Sequence, residues 1–595
     1  MKNYLQQRSK SLLAFAVGLT ILSSSIAGEV YAECYYYGSD MATDDGTTTC
    51  TQDEKGNITV TLKADREITN ELNFSGNLNS QTHVYNQAQF VSLASKSPFT
   101  ITGLTGNEKL TLDGDIMSVE NAKLTIQNLN TLKINKGEYG NGTYGLDASF
   151  GNKRYGSTTS KDSINLNNIK NVDISGTVSA IYCDAMARVE LKDIGNLNLT
   201  SNIKCAEEYG KYLTATADYT IYCDHGSLVD ISAKNTTITS TGQAISATAH
   251  NAAEINKSVN VSWETDYPLP VINIKSDNLS IAAATNGPTA TAVYSDAGAI
   301  VNLVCIANDD KIGKLIFDKD AGANMNLYSD GYVYEEQNIN RYDRYSDSIA
   351  AGKTADDYIL HQSQINVYAE YAEFNANTNA INARNNALIN VNADNAVINN
   401  NYGNVATVSS SGDSTVTIEG DDLTITNHNT NYLKDANVID AKDAKVAIGS
   451  GGVVNPSRHD LVEDYGGTVD RADDIVITAN KKLTVDGNII IDANPQATGN
   501  SISINKDNTT ALVNITGDIY TDKGNEVYLS LGDGSAASQN GNAAGRQAGR
   551  STLTGAILDK ASTATDFSFS DTSFSEKGTN LKMKDATWNV TANSE

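Results

Sequence analysis

The chain has 595 residues, of which 40 % are hydrophobic and 19 % charged, and its 44 Lys and Arg against 71 Asp and Glu give a net charge of −27. This charge argues against nucleic acid as a partner, because a phosphate backbone requires a basic surface. The large neutral polar fraction excludes a coiled coil and a membrane bundle. With 6 Pro and evenly spaced Val, Ile and Leu, the chain is not a disordered linker either.

The first 32 residues have the composition of a secretory signal peptide. Residues 2–10 are basic, residues 12–26 are apolar, and residues 30–32 (Val-Tyr-Ala) offer a small-residue cleavage site. A transmembrane anchor is the alternative, but the apolar stretch is short and interrupted by Gly, Ser and Thr. No later stretch approaches the roughly 18 continuous apolar residues that a spanning helix requires. We therefore expect an exported protein that does not itself insert into a membrane.

An internal repeat runs through the chain in one register. A Tyr-Cys-Asp triplet follows both Ile181 and Ile221, and eight residues after these two positions come Val189 and Val229. The same offset recurs in further pairs: Val293 and Val301, Ile116 and Leu124, Ile381 and Ile389, Val408 and Val416, Val438 and Val446. In several copies a third apolar segment follows. Within each segment apolar residues alternate with polar ones, which is the period of a strand with one buried face.

The spacing of the copies predicts the fold class. Copies recur after 25 residues where they abut and after up to 40 elsewhere, and the excess lies in polar, Tyr-rich segments. We predict an all-β protein, a right-handed parallel β-helix (β-solenoid) with three short strands per coil and Tyr-rich loop insertions at about residues 137–157, 205–219 and 322–364. A leucine-rich repeat and a flat β-sandwich are the alternatives.

The many Asn residues have two explanations. Coils stacked about 4.8 Å apart would let the amides of one column hydrogen-bond along the axis. Runs such as residues 389–392 and 397–400 suit this use. Asn also tolerates the left-handed conformation of tight turns. We expect both uses, at different corners.

Six Cys in an exported chain favour disulfides. The register places Cys183 and Cys223 in the same slot of two consecutive copies, about 5 Å apart and thus within disulfide range. Cys34 and Cys50 bracket a short N-terminal loop and form the other predicted pair. Other connectivities stay open. No metal centre is predicted from the cysteines, because the sequence has no CxxC pair and no Cys/His cluster.

The same register stacks Asp184 on Asp224 and aligns Asp296 with them. Close carboxylates can share a cation or shift each other's pKa, so a Ca²⁺ site or a catalytic acid pair is one interpretation. A row of solvated turn residues is the interpretation we prefer. No other cofactor and no catalytic residue is predicted, since the six His are scattered and the sequence has no Gly-x-Ser-x-Gly elbow.

Tyr is the unusual aromatic residue, with 29 copies against 10 Phe and 2 Trp. Amphipathic rings on exposed loops suit the recognition of sugar or protein, although Tyr also tolerates partial exposure for no functional reason. Residues 322–357 are the first candidate for a recognition loop. The recognition residues predicted in or beside it are Tyr328, Tyr332, Tyr334, Tyr342, Tyr345 and Tyr358.

The sequence pattern changes from about Glu526. Residues 551–557 read Ser-Thr-Leu-Thr-Gly-Ala-Ile and residues 586–591 read Ala-Thr-Trp-Asn-Val-Thr. Together with the signal peptide and the solenoid pattern, these segments resemble the passenger domain of a bacterial autotransporter, a type V secreted protein of Gram-negative bacteria. On this resemblance we divide the chain into four parts: the signal peptide (1–32), an N-terminal cap with the first coils (33–110), the β-helix passenger with its insertions (111–525), and the C-terminal passenger coils (526–595).

The resemblance also implies a cellular location. Family members continue into a β-barrel in the outer membrane, whereas this sequence stops at Glu595. We therefore expect a fragment or a split gene product, secreted through the inner membrane to the cell surface or the extracellular space, or to the periplasm if the barrel is missing. Six Cys exceed what is usual for such passengers, because early disulfides would obstruct their passage.

The predicted function follows from fold and resemblance. We predict an adhesin or a structural surface protein that binds a glycan or protein of a host or sister cell, or that self-associates. The alternative is a β-helix polysaccharide lyase or glycoside hydrolase, and an inert stalk is a third class. Enzymatic activity is not the expectation.

Overall fold

The computed structural model describes most of the repeats between Thr47 and Thr591. The described residues are 47–52, 57–68, 72–75, 91–94, 98–112, 116–119, 123–135, 144–148, 163–184, 187–201, 219–224, 226–248, 269–283, 291–296, 298–307, 311–318, 320, 323, 325–330, 360–361, 363–384, 387–401, 405–411, 414–428, 437–442, 453–455, 460–461, 474–492, 500–522, 525–539, 549–559 and 578–591. Within these ranges no helix is long and apolar enough to cross a membrane.

Short strands dominate the described residues, with one 3-10 helix at Ser535–Gln539. The first twenty strands are β1 (Thr48–Gln52), β2 (Ile58–Leu62), β3 (Arg66–Ile68), β4 (Leu72–Ser75), β5 (Val91–Ala94), β6 (Phe99–Gly103), β7 (Lys109–Leu112), β8 (Ile116–Val119), β9 (Lys123–Ile134), β10 (Tyr144–Ala148), β11 (Ser163–Gly176), β12 (Ser179–Cys183), β13 (Arg188–Ser201), β14 (Tyr219–Asp224), β15 (Leu228–Ser240), β16 (Gln243–Thr248), β17 (Val271–Ala283), β18 (Thr291–Asp296), β19 (Ile300–Cys305) and β20 (Lys314–Phe317). The others are β21 (Met325–Asp330), β22 (Leu360–His361), β23 (Ser363–Ala376), β24 (Ile381–Arg384), β25 (Ala387–Asn400), β26 (Val408–Ser411), β27 (Thr415–Asn427), β28 (Asn437–Lys442), β29 (Val453–Asn455), β30 (Asp460–Leu461), β31 (Asp474–Asp486), β32 (Asn488–Asp492), β33 (Ser501–Ile504), β34 (Leu512–Thr516), β35 (Ile519–Thr521), β36 (Glu526–Leu531), β37 (Thr552–Thr554), β38 (Ile557–Asp559), β39 (Gly578–Met583) and β40 (Thr587–Asn589).

Almost all of these strands belong to two long sheets. In the described ranges the larger sheet has 22 strands and the smaller has 15, while β22, β29 and β30 form a separate sheet of three. The strands of the smaller sheet lie side by side in the order β5, β4, β8, β10, β12, β14, β16, β18, β21, β24, β26, β28, β32, β35 and β38. The chain thus returns to each sheet in turn, and the described neighbours in the two long sheets pair in parallel, except for β1 and β2, which are antiparallel. The predicted all-β class is confirmed, and the architecture is consistent with a β-solenoid.

The pairing follows the predicted register in the middle of the chain. Leu124 pairs with Ile164, a spacing of 40 residues, and Ile164 pairs with Val189, a spacing of 25. Ile181 pairs with Ile221, as predicted.

One predicted copy is wrong. Val408 pairs with Ile439 rather than Val438, and Val416 pairs with Ile475, while residues 446–448 lie outside the described ranges. The offset of eight therefore does not mark a pairing there, and in the pairing of β28 with β32 the register also shifts by one between Asn437 and Ile439.

The strands of the larger sheet bend near their middle. Strand β11 buries Ile164 and Leu166 before the bend and Ile169, Val172 and Ile174 after it. The bend is made by residues in the left-handed conformation, with φ of 54° at Asn128, 52° at Asn168 and 55° at Asp193. Asn and Asp adopt this conformation more readily than other non-glycine residues, which explains their place here. Elsewhere two short strands, such as β6 and β7, replace the single bent one.

The core is a set of columns of apolar side chains along the molecule. In one of these columns, twelve successive positions are occupied by Leu, Val or Ile with 0 % exposure, and each such buried side chain stabilises the fold by about 1.5 to 3 kcal/mol. That column contains Leu124, Ile164, Val189, Val229, Ile272, Val301, Ile365, Ile389, Val416, Ile475, Ile502 and Val527.

Strands lie inside all three predicted insertions. Strand β10 occupies part of residues 137–157, β14 begins at Tyr219, and 322–364 contains all of β21 and the first residues of β23. The three longest connections between the two long sheets run from β16 to β17, from β21 to β23 and from β28 to β31. All three lead from the smaller sheet to the larger one, so they start from the same corner.

Candidate functional site

Four Tyr-x-Asp segments of the smaller sheet form a column. They end strands β12, β14, β18 and β21 and consist of Tyr182 and Asp184, Tyr222 and Asp224, Tyr294 and Asp296, and Tyr328 and Asp330. We call these eight residues the Tyr–Asp column.

The register of the column agrees with the predicted alignment of its Asp residues. Cys183 pairs with Cys223, which places the adjoining Asp184 beside Asp224. Asp224 pairs with Thr248, and Thr248 pairs with Asp296. Sequence analysis missed the fourth member, Asp330, which pairs with Asp296. The Tyr-Ser-Asp triplet at 328–330 repeats that at 294–296, and this signal could have revealed it.

Alternation along the strand brings each Tyr and Asp together. Residues i and i+2 point to the same face of a sheet, so the phenol can reach the carboxylate. The Tyr222 hydroxyl donates to Asp224 Oδ2 at 2.8 Å. The Tyr328 hydroxyl donates to Asp330 Oδ2 at 2.9 Å, and the corresponding distance from Tyr182 is 3.2 Å.

Each of the first three Asp residues in the column also starts a tight turn. Its carbonyl oxygen accepts a hydrogen bond from the backbone N–H three residues later, as from Ser227 to Asp224 at 3.1 Å and from Ala299 to Asp296 at 3.0 Å. Asp184 receives the equivalent bond from Ala187 at 3.3 Å. These turns lead directly into the next strand of the larger sheet.

The carboxylates of the column are buried. Exposure is 5 % for Asp184, 4 % for Asp224 and 1 % for both Asp296 and Asp330. We preferred to interpret these Asp residues as solvated turn residues. They do lie in turns, but the prediction that they are solvated is wrong. Stacking of the coils removes these side chains from water, and a buried carboxylate needs hydrogen-bond donors such as the phenols beside it.

The Tyr rings stack on one another along the column. Ring centroids lie 4.3 Å apart for Tyr144 and Tyr182, 5.2 Å for Tyr182 and Tyr222, and 5.3 Å for Tyr294 and Tyr328. A ring stacked between two others presents its edge rather than its face to solvent. Sugar recognition usually uses the face, so the inner rings are poorly placed for it.

Removal from water raises the pKa of Tyr182, Tyr222 and Tyr294 well above the usual value, and the neighbouring Asp charges raise it further. The phenols therefore stay protonated and act as donors at any physiological pH. Burial likewise raises the pKa of Tyr328, while Arg384 opposes the shift. Arg384 is the register partner of Asp330 in the next strand, β24. Its guanidinium donates to the Tyr328 hydroxyl at 3.2 Å.

The predicted recognition residues divide into two groups. Tyr328 is a strand residue of β21 whose hydroxyl is held by Asp330, so its prediction as a loop residue is wrong. The strand period places it there, because Leu327 and Ser329 on either side are fully buried. The others, Tyr332, Tyr334, Tyr342, Tyr345 and Tyr358, lie outside the described residues.

The cysteines occupy the predicted register. Cys183 and Cys223 pair directly, and both are buried free thiols in the structure, so the predicted disulfide is not formed there. Cys50 lies in β1, while its predicted partner Cys34 lies outside the described residues.

Asn ladders run along the outer faces, as predicted. The amide of Asn390 donates to Asn366 at 2.9 Å, and that of Asn399 donates to Asn375 at 3.1 Å. The longest ladders contain four residues each, with amide contacts of 2.8 or 2.9 Å: Asn171, Asn196, Asn235 and Asn278 in one, and Asn273, Asn302, Asn366 and Asn390 in the other.

Among the described residues, no group of three or more His, Cys, Asp and Glu side chains is arranged to hold a metal ion. The described arrangement orders strand ends and turns at the corner where the longest connections leave. No protein-family model matches this chain, and no curated protein or solved structure matches it either.

Proposed function

We propose that this chain is the exported passenger of an autotransporter-like protein of a Gram-negative bacterium. In this proposal its fold is a right-handed β-helix with three strands per coil, and its place is the cell surface or the extracellular space. It acts as an adhesin or as a structural surface protein that presents its connections to a glycan or protein of a host or sister cell.

The observation that carries this proposal is the shared corner of the long connections. Parallel strands in constant register put equivalent corners above one another along the molecule. The connections after β16, β21 and β28 therefore start from one edge of a rigid support. Binding residues in proteins are commonly held on loops that a rigid scaffold positions. An edge of this kind suits contact with an extended partner.

The Tyr–Asp column supports the base of this edge. Thr248 and Asp330 are the last strand residues before two of the long connections, and both are buried. The hydrogen bond from the Tyr328 hydroxyl to Asp330 holds the first residue before the second of these connections in place. Rigid roots lower the entropy cost of binding through the connections.

The net charge limits the kind of partner. A charge of −27 favours a partner with a basic surface, or an acidic partner that is bridged to this chain by divalent cations. Self-association of parallel molecules would be opposed by this charge at low salt and favoured by screening.

The test is a binding screen of the chain on glycan and extracellular-matrix arrays, with and without Ca²⁺, while the size of acidic polysaccharides is followed. The informative variant replaces residues 331–359 by a short Gly-Ser linker, which keeps β21 (Met325–Asp330) intact. A matched control shortens residues 202–218, which join β13 to β14 at the opposite corner. We expect saturable binding that the first variant loses and the control keeps.

Two outcomes would contradict the proposal. Shortening of a polysaccharide would establish the alternative enzyme instead. Absence of binding on every array, with and without Ca²⁺ and in both variants, would leave an inert stalk.

A further inference from the structure

A column of small, buried side chains lies on the inner face of the smaller sheet. Over eight consecutive strands it holds only Ala, Cys and Ser, and all eight side chains have 0 % exposure. The residues in order are Ala148, Cys183, Cys223, Ala247, Ser295, Ser329, Ala383 and Ser410. The two cysteines are adjacent in this column, and Ala occupies the position on either side of them.

Cys183 and Cys223 are direct register partners on adjacent parallel strands. Adjacent parallel strands lie about 4.8 Å apart, which is within the Cα separation that a disulfide requires. Each thiol also has a carbonyl acceptor: Cys183 Sγ lies 3.6 Å from the oxygen of Leu228, and Cys223 Sγ lies 3.2 Å from that of Ser227. Burial raises the pKa of Cys223, and a hydrogen bond with Cys183 raises it further. The structure therefore shows two free thiols at positions whose register would allow a disulfide.

We propose that Cys183 and Cys223 form a disulfide that joins two consecutive coils, and that this structure represents its reduced state. With glutathione disulfide as oxidant, one protein thiolate attacks it, a mixed disulfide forms and one glutathione leaves. The second protein thiolate then displaces the other glutathione. Two protein thiols are oxidised and one glutathione disulfide is reduced to two glutathione molecules.

The bond forms while the coils assemble rather than afterwards. Both side chains are 0 % exposed in the folded chain, and burial raises the pKa of Cys223, so the native pair has little thiolate and no access to an oxidant. Once formed, the bond closes a loop that includes residues 202–218, the connection between β13 and β14. It would therefore hold both ends of that connection and oppose separation of these coils.

Cys305 provides a matched control within the same chain. It is a buried free thiol in the larger sheet, and it pairs with Ala369, so it has no cysteine beside it among the described residues. Substitution of Cys183 or Cys223 by Ala should be tolerated, because the column already holds Ala148 and Ala247. These variants remove the bond without enlarging a side chain.

The experiment refolds the full chain in a buffer of glutathione and its disulfide, alkylates free thiols in denaturant, and maps the peptides by mass spectrometry. We expect a linked peptide pair containing Cys183 and Cys223, with a loss of about 2 Da for the bond. We also expect an unfolding temperature several degrees higher than that of the reduced chain, abolished by a reductant. C183A and C223A should lose both effects, whereas C305A should keep both.

The proposal is overturned if Cys183 and Cys223 are both alkylated after refolding under oxidising conditions, or if either is linked to another cysteine. It is also overturned if the bond forms but C183A and the oxidised wild-type chain unfold at the same temperature. None of these readouts depends on what the chain binds.

Discussion

Two groups of coils, which we call the middle coils (residues 163–248) and the C-terminal coils (here residues 474–591), build the same corner with different chemistry. Where the larger sheet ends and the smaller begins, the middle coils use hydroxyl side chains: Ser201 Oγ lies 2.8 Å from Thr220 Oγ1 and 3.1 Å from Ser240 Oγ. The corresponding residues of the C-terminal coils are Gly487 and Gly517, with φ of 132° and 147°. The middle coils thus close the corner through side chains, and the C-terminal coils through backbone.

The glycine corner depends on close approach of successive backbones. A Cβ on Gly517 would lie 2.1 Å from the Gly487 oxygen, and one on Gly555 would lie 1.9 Å from the Gly517 oxygen. The backbone bonds from Gly487 N to Thr516 O at 2.8 Å and from Gly517 N to Thr554 O at 2.9 Å hold the turns together. Only glycine permits both this spacing and this φ. The C-terminal corner should therefore be the less tolerant of substitution.

The largest effect is expected for Gly517→Val. A β-branched side chain meets the Gly487 backbone and cannot adopt the native φ, so we expect the C-terminal coils to lose about 3 kcal/mol or more of stability. Because repeats contact only their neighbours, hydrogen exchange resolved by peptide is the suitable measurement. The control is Gly549→Ala, whose added Cβ meets only Leu512 at 3.7 Å. Equal protection in the two variants would show that the glycine corner is not under this constraint.

An intermediate effect is expected for Tyr222→Phe in the middle coils. It removes the donor to the buried Asp224 carboxylate and should cost about 1 to 3 kcal/mol. Tyr368→Phe is the control, because Tyr368 is 44 % exposed and should change stability by less than about 0.5 kcal/mol. Both costs are measured by urea unfolding, with hydrogen exchange of peptides from the middle coils as the readout. If the two substitutions cost the same, the Tyr–Asp pairs do not hold the corner.

A smaller effect is expected for Asn235→Ala. This change removes the amide contacts to Asn196 and Asn278, both 2.9 Å and exposed, and should cost about 1 kcal/mol. Asn395 lies in the same column further along the sheet but takes part in no amide ladder within the described ranges, so Asn395→Ala should cost less. A ladder that contributes nothing to stability would give the same unfolding midpoint for both variants.

The smallest effect concerns acid pH in the last coil. Hydrogen bonds from Ser535, followed by the Lys584 ammonium at 2.9 Å, hold the pKa of Asp533 well below its usual value. A lowered folded-state pKa stabilises the fold above the unfolded-state value of about 3.9, and that contribution is lost as the pH falls below it. In the wild-type chain, amide protection of the C-terminal coils should therefore fall between pH 5 and pH 2. In Lys584→Ala this fall should be smaller, and amide hydrogen exchange at several pH values measures the difference. An unchanged profile would mean that the ion pair is fully screened.

Much of the fold could be predicted because the alternation of apolar and polar residues directly indicates the strands. The alternation around Ile164 and Val189 marks the buried face, and the offset between Ile181 and Val189 marks the repeat. The prediction failed at Val438, because Val438 and Ile439 are both apolar and the local pattern does not tell which of them pairs with Val408. The same limit applies to Tyr328, whose polar neighbourhood suggested a loop although its strand neighbours are core residues.

The sequence by itself determined the strand alternation, the placing of Cys183 beside Cys223, and the Asn ladders, because each is a matter of period and in-register stacking. Only the tertiary structure decided which polar residues lose contact with water. Asp224 and Asp296 sit in turns that sequence alone makes solvent-exposed, and their burial at 4 % and 1 % exposure depends on the coils above and below. Solvent access is a property of the assembled stack, so no single repeat contains it.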